Sequence, residues 1–155
     1  MAVIGYLRLE EKGNHPVTGE CTEAGHVGWT ELSAFEYEVR APVDPGTGAI
    51  RSSRTTAGFR IVKEIDRLGP LLLTHLTSNE SVTIEVMLSD RADKSLKPVR
   101  KFLFTDAQVV EIRNAQPDKF DSAHANAHQY QSVRFIFQKV EDTRPPGKTA
   151  HDDWR

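Results

Sequence analysis

Alternation with a period of two runs through most of this chain. Ile4, Tyr6 and Arg8 fall on one side of an extended backbone and Gly5, Leu7 and Leu9 on the other, which predicts a first strand. Phe35, Tyr37 and Val39 alternate with Glu36, Glu38 and Arg40, the pattern of a strand with one dry and one wet face. Ala41 to Gly48 holds 2 prolines and 2 glycines, a density that defeats both helix and ladder. A further strand is predicted from Ser52 to Ile65. Strand alternation resumes at Val82, Ile84, Val86 and Leu88, opposite Thr83, Glu85 and Met87. Ser89 to Pro98 reads as a charged turn region. Lys101–Phe104 and Val109–Ile112 read as two strands on either side of Asp106. Asn114 to Ala127 reads as a polar loop, and Val133, Phe135 and Phe137 mark the last clear strand.

One segment departs from that period. Leu71, Leu72, Leu73 and Leu76 form an apolar stripe over about two helical turns. Pro70 suits a first helical position, where its missing N–H costs nothing, and Asn79 suits a left-handed cap. From Glu141 onward the chain is polar, with Pro145-Pro146-Gly147 and a terminal Asp152-Asp153-Trp154-Arg155. The proline-containing segments Asn14–Thr18 and 141–155 are expected to supply no ladder strand, and the tail to be poorly ordered unless a neighbour covers Trp154. The reading is therefore a mainly β protein. It is an antiparallel β-barrel of roughly seven or eight strands with one short flanking α-helix, in a single domain over 1–140 followed by a polar tail over 141–155.

Composition narrows the function classes. With 155 residues, 38% of them hydrophobic, the chain can fill one core without metal or disulfide staples. A formal charge of −2 and a pI near 6.3 argue against nucleic acid as the main partner. The single cysteine, Cys21, cannot form a disulfide within the chain. The first ten residues lack a basic start, Arg8 interrupts their apolar run, and no window approaches the ~20 apolar residues that span a membrane. Folding in the cytoplasm is expected, and any export must use a route that reads no N-terminal signal.

No catalytic set emerges. His124 and His128 have the four-residue spacing of helical zinc ligands, but no helix pattern surrounds them and no Glu lies between them. His15, Cys21 and His26 share one loop without the close-pair spacing of a ligand set. Cys21 with His26 is a conceivable thiolate and base. Gly46-Thr47-Gly48 lacks the Lys of a phosphate loop and reads as a turn. Lys63, Arg67 and the run Lys94, Lys97, Arg100, Lys101 read as a solvated basic face. The leucine stripe reads as a helix docked on the barrel. No metal and no cofactor is expected.

The polar loop Gly19-Glu20-Cys21-Thr22-Glu23-Ala24-Gly25-His26-Val27-Gly28-Trp29-Thr30-Glu31-Leu32, running into Phe35 and Tyr37, resembles the haemolysin-coregulated protein family, the tube subunit of bacterial type VI secretion systems. Gly5–Leu9 is similar to that family's first strand. Lys63-Glu64-Ile65-Asp66 with Gly69-Pro70 is similar to the lead into its single helix. Phe104–Ala107 and Val133–Phe137 fall where two of its late strands belong. The resemblance marks Gly19, Glu20, Gly28, Trp29, Glu31, Phe35, Lys63, Ile65, Asp66 and Pro70 as signature structural positions. It implies a homohexameric ring that stacks into a tube, with sheath, spike and small effector proteins as partners, no membrane insertion, no enzyme activity, and secretion from the bacterial cytoplasm. The chain departs from the pattern in the Asn14–Thr18 insertion, in Cys21 for a serine, and in the polar turn after Val140. A phage-type tail tube protein, and a monomeric β-barrel that binds a ligand or runs a cysteine-dependent reaction, are the other readings. Trp29 is expected to be a core or interface anchor.

Overall fold

The computed structural model describes residues 3–12, 15–22, 26–50, 55–90, 97–124, 129–145 and 147–153. Ten strands and one α-helix follow in the order β1 (Val3–Glu11), β2 (His15–Val17), β3 (Thr30–Leu32), β4 (Ala34–Arg40), β5 (Thr55–Glu64), α1 (Leu68–Ser78), β6 (Val82–Asp90), β7 (Lys97–Ala115), β8 (Tyr130–Ile136), β9 (Lys139–Arg144) and β10 (Lys148–Asp153). All strand pairs are antiparallel. The ladder runs β2-β1-β6-β7-β8-β5-β4, with β3 also on β1, β9 on β7, and β10 on β9.

The two strands expected around Asp106 are one 19-residue strand, β7. Asp106 adopts a left-handed φ of 52°. The register shifts there between Val82↔Ala107 and Ile84↔Phe104, so β7 spends one extra residue on a bulge. The kink lets the first half of β7 pair with β6 and β9 while the second half pairs with β8. Aspartate is a turn former by composition, but here the bulge absorbs it without ending the ladder.

Of the closed or nearly closed antiparallel barrel expected, the described strands form the mainly β antiparallel sheet with its one helix, and their ladder is open. Its two sides are brought together by chain continuity. β3 pairs with β1 and β4 pairs with β5, and the bend between them is held by the Ser33 N–H donating to the Val62 carbonyl at 2.7 Å. The core between the sheets is aromatic: Phe59 stacks on Phe104 at 3.9 Å and on Phe135 at 4.8 Å, with Leu7, Leu9, Ile61, Ile84, Val86 and Val133 around them.

The two polar segments expected to supply no strand each supply one or more. β2 pairs Val17, Pro16 and His15 with Leu9, Glu10 and Glu11, and it is an edge strand, where a proline is tolerated. β9 and β10 form a hairpin of six paired positions, from Lys148↔Arg144 to Asp153↔Lys139. Pro145 falls in its turn, closed by the Gly147 N–H donating to the Arg144 carbonyl at 3.1 Å, so no ladder donor is lost. Asn14 and Trp154 lie outside the described residues.

Helix α1 starts at Leu68, which makes Pro70 its third residue and not its first. That position is still within the first turn, where backbone N–H groups have no intrahelical partner. The expected cap at Asn79 is present, with φ 56°. Leu68, Leu72 and His75 are buried, while Leu73 faces out.

Candidate functional site

Six of the positions that the resemblance marks, Gly19, Glu20, Gly28, Trp29, Lys63 and Asp66, lie at one corner, where the loop after β2 meets β3, the end of β5 and the start of α1. Gly19 donates to the Gly28 carbonyl, Cys21 N–H to the Trp29 carbonyl at 2.9 Å, and Gly28 N–H back to the Cys21 carbonyl at 3.0 Å. Gly28 sits at φ +83°, and a Cβ on Gly19 would come within 2.5 Å of the Trp29 carbonyl oxygen. Both glycines are therefore steric requirements of this double turn.

Beneath the turn lies a charge pair whose ammonium is buried. Lys63, fully buried on β5, reaches Asp66 Oδ1 at 2.6 Å and the Glu64 carbonyl at 3.3 Å. The same Asp66 oxygen accepts the Leu68 N–H at 3.0 Å, and Asp66 Oδ2 accepts from Thr30 Oγ1 at 3.3 Å. One carboxylate thus ties β5, the start of α1 and β3 together. The expectation of a solvated basic face fails at Lys63, because the half-buried Asp66 carboxylate gives its buried ammonium a partner. Outside it, Arg67 and Glu20 pair at 3.3 Å on the surface. Thr30 joins this cluster with no motif of its own. Its signal is its place directly after Trp29, where the loop enters β3.

Trp29 is half-buried and stands outside the main core cluster. Its ring meets His26 edge-on at 5.3 Å, and His26 stacks on the buried Tyr6 at 4.1 Å. Arg8 lies over the Trp29 ring at 5.1 Å and pairs with Glu85 at 2.7 Å, which also holds Lys101 at 3.0 Å. His26 Nε2 faces Met87 Sδ at 3.3 Å. His26, weighed as a base beside Cys21, is thus a packing element in an aromatic and thioether sandwich. Among the described residues no three His, Cys, Asp or Glu side chains converge as a metal site needs. The backbone of His124 belongs to a short 3-10 turn, and His128 lies outside the described residues.

The remaining signature residues spread from this corner. Glu31 is exposed on β3, and Phe35 packs into the core at 5.1 Å from Phe102. Ile65 and Pro70 line an apolar groove with Leu73 and Ile112. At the far end of the sheet, Tyr37 touches Phe102, Phe104 and Phe137. Burial pushes its phenol above the usual tyrosine range, Asp142 and Asp152 add to that, and Arg100 opposes it. Arg100 itself is held by Asp142 through two hydrogen bonds.

A family model described as the type VI secretion system effector Hcp matches residues 6–143. A Pseudomonas aeruginosa protein named Major exported protein is 29% identical over 140 residues, spanning 88% of this chain and 81% of that one. A crystal structure of an Hcp protein superposes with a TM-score of 0.89 at 20% identity, over 99% of both chains. A variant of Hcp1 from E. coli EAEC 042 gives a TM-score of 0.87 at 22% identity, over 99% of this chain and 100% of that one. At those identities the two structures speak for the fold, and the sequence match speaks for the lineage. Matched by the family's model from Tyr6 to Thr143, the chain belongs to the Hcp family of type VI secretion.

Proposed function

We propose that this chain is a non-enzymatic tube subunit of a type VI secretion system. Six copies close into a ring, and rings stack into the inner tube that a contractile sheath drives outward behind a spike. In this reading the subunit is made in the bacterial cytoplasm and leaves through the machine itself, while small effector proteins travel in the lumen. The sheet sides joined at Ser33 are taken as the closing side of a flanked barrel. The observation that carries the reading is the family match over residues 6–143. The fold likeness over 99% of the chain agrees with it. Native mass spectrometry of the purified protein tests it: a hexamer is expected, and a strict monomer at every working concentration overturns the reading.

A further inference from the structure

Two apolar features lack a partner among the described residues. The first is Phe120, 100% exposed on the turn after β7. It is not on a loose strand end, since Asp118 Oδ1 accepts the Phe120 N–H at 2.9 Å and the Asp118 carbonyl accepts the Asp121 N–H at 3.2 Å. The turn holds the ring outward, with exposed Lys119 beside it.

The second is the groove along the outer side of α1, a cleft of about 340 Å³ lined by Ile65, Pro70, Leu73 and Ile112, with Gln131 in its wall. Ile65 is 52% exposed and Leu73 54% exposed, large apolar surface for a helix flank to leave wet. Gln131 is buried, and its Oε1 has no hydrogen-bond partner among the described residues, although its Nε2 donates to Asn114 at 2.8 Å. An adjoining cleft shares Ile65 and Asp66 and carries the carboxylates of Glu20, Glu31 and Glu64. The surface is thus an apolar slot with an acidic margin. It is complementary to an aromatic ring next to a lysine.

We propose that this slot receives the Asp118–Asp121 turn of a second copy of this chain, with Phe120 seated between Ile65 and Leu73 and Lys119 directed at the carboxylate margin. The occupant is a second copy because the complementary knob is on the chain itself, and in the single subunit Phe120 stays fully exposed and leaves its own slot empty. The contact rests on the self-assembly reading above and specifies one surface that carries it.

Charge exchange across the contact tests it. Phe120→Asp and Leu73→Lys both change exposed side chains, so the fold is expected to survive, with circular dichroism and monomer melting as the check. Each single variant should weaken subunit association about 10- to 100-fold in sedimentation velocity, the worth of one aromatic side chain left unburied. The double variant should recover most of that loss, because an aspartate then meets a lysine. Wild-type assembly with unchanged assembly of both single variants overturns the slot and leaves the tube reading standing. Loss in the single variants without recovery in the double variant also overturns the pairing of these two positions. A wild-type protein that stays monomeric overturns both proposals together.

Discussion

At the scale of single residues, a position that no motif announces tolerates no side chain. Gly58 lies in β5 at φ +85°, where a Cβ would fall 1.8 Å from the Phe135 carbonyl oxygen of β8. The register between β4 and β5 shifts beside it, from Tyr37↔Phe59 to Val39↔Thr56. Gly58→Ala must therefore strain the backbone and push β5 away from β8. A loss of about 3 kcal/mol or more is expected in urea unfolding, and a loss below about 1 kcal/mol would show the bulge to be adaptable. Tyr37 supplies a pH signature. Its phenol is raised above the usual value near 10 by burial and by Asp142 and Asp152. Below about pH 10 the phenol is protonated in folded and unfolded chains alike and contributes no slope. Above that, the unfolded chain releases the proton while the folded one still holds it, so stability falls as pH rises through the folded value. Tyr37→Phe should remove that share of the alkaline loss. The expected result is a variant whose urea midpoint falls less than the wild type's between about pH 8 and pH 11. Parallel loss in both would discharge Tyr37 from this role.

At the scale of elements, the strands that alternation predicts are those whose apolar positions are the less exposed ones, such as β4, where Phe35 and Tyr37 are half-buried between exposed Glu36 and Glu38, although Val39, expected on the same dry face, is exposed. Those it misses are held for other reasons. β2 and β10 are short edge strands, paired on one side only among the described strands and visible only once β1 and β9 are in place. No residue of Thr149–Asp153 is among the buried core, so this stretch of β10 contributes ladder bonds and edge protection and no apolar burial. Deletion of Pro145–Arg155 should leave a folded core, cost about 1–3 kcal/mol in hydrogen bonds and local packing, and expose the outer edge of β9 to aggregation. Dynamic light scattering with melting curves reads both effects. Global unfolding of the truncated chain would mean the hairpin belongs to the folding core. The helix is legible because Leu72 and Leu76, four residues apart, share a face. His75 is not, although it lies three residues from Leu72 and is buried beside Glu11, 3.2 Å from its carboxylate. A polar side chain on the buried stripe of a helix carries no pattern signal until its partner strand is known.

At the scale of the whole molecule, the sheet leaves sides that its own ladder does not close, an exposed aromatic knob and a wet apolar slot. Such surfaces suit a subunit more than a solitary protein. If folding and assembly are linked, the subunit contacts stabilise only the folded state, and the unfolding temperature depends on concentration. Raising the protein from about 1 to 100 μM should lift the midpoint by several degrees. A midpoint indifferent to concentration, together with a monomeric mass, would remove the ring from consideration.

Residue order alone determined the mainly β character, the one helix with its Asn79 cap, the glycine turn before Trp29 and the family likeness. The structural features among these rest on local rules: period, capping geometry and steric need within a few residues. Tertiary structure alone decided that Asp106 is a bulge and not a strand end, that polar segments pair as edges, and that Lys63 is buried against Asp66. It also placed His26 against Tyr6 and left the sheet open. Each of those outcomes depends on which distant strand lies alongside. Glu85 lies across the sheet from Arg8 and Phe135 across from Phe59, and partners at such separations leave no trace in local periodicity.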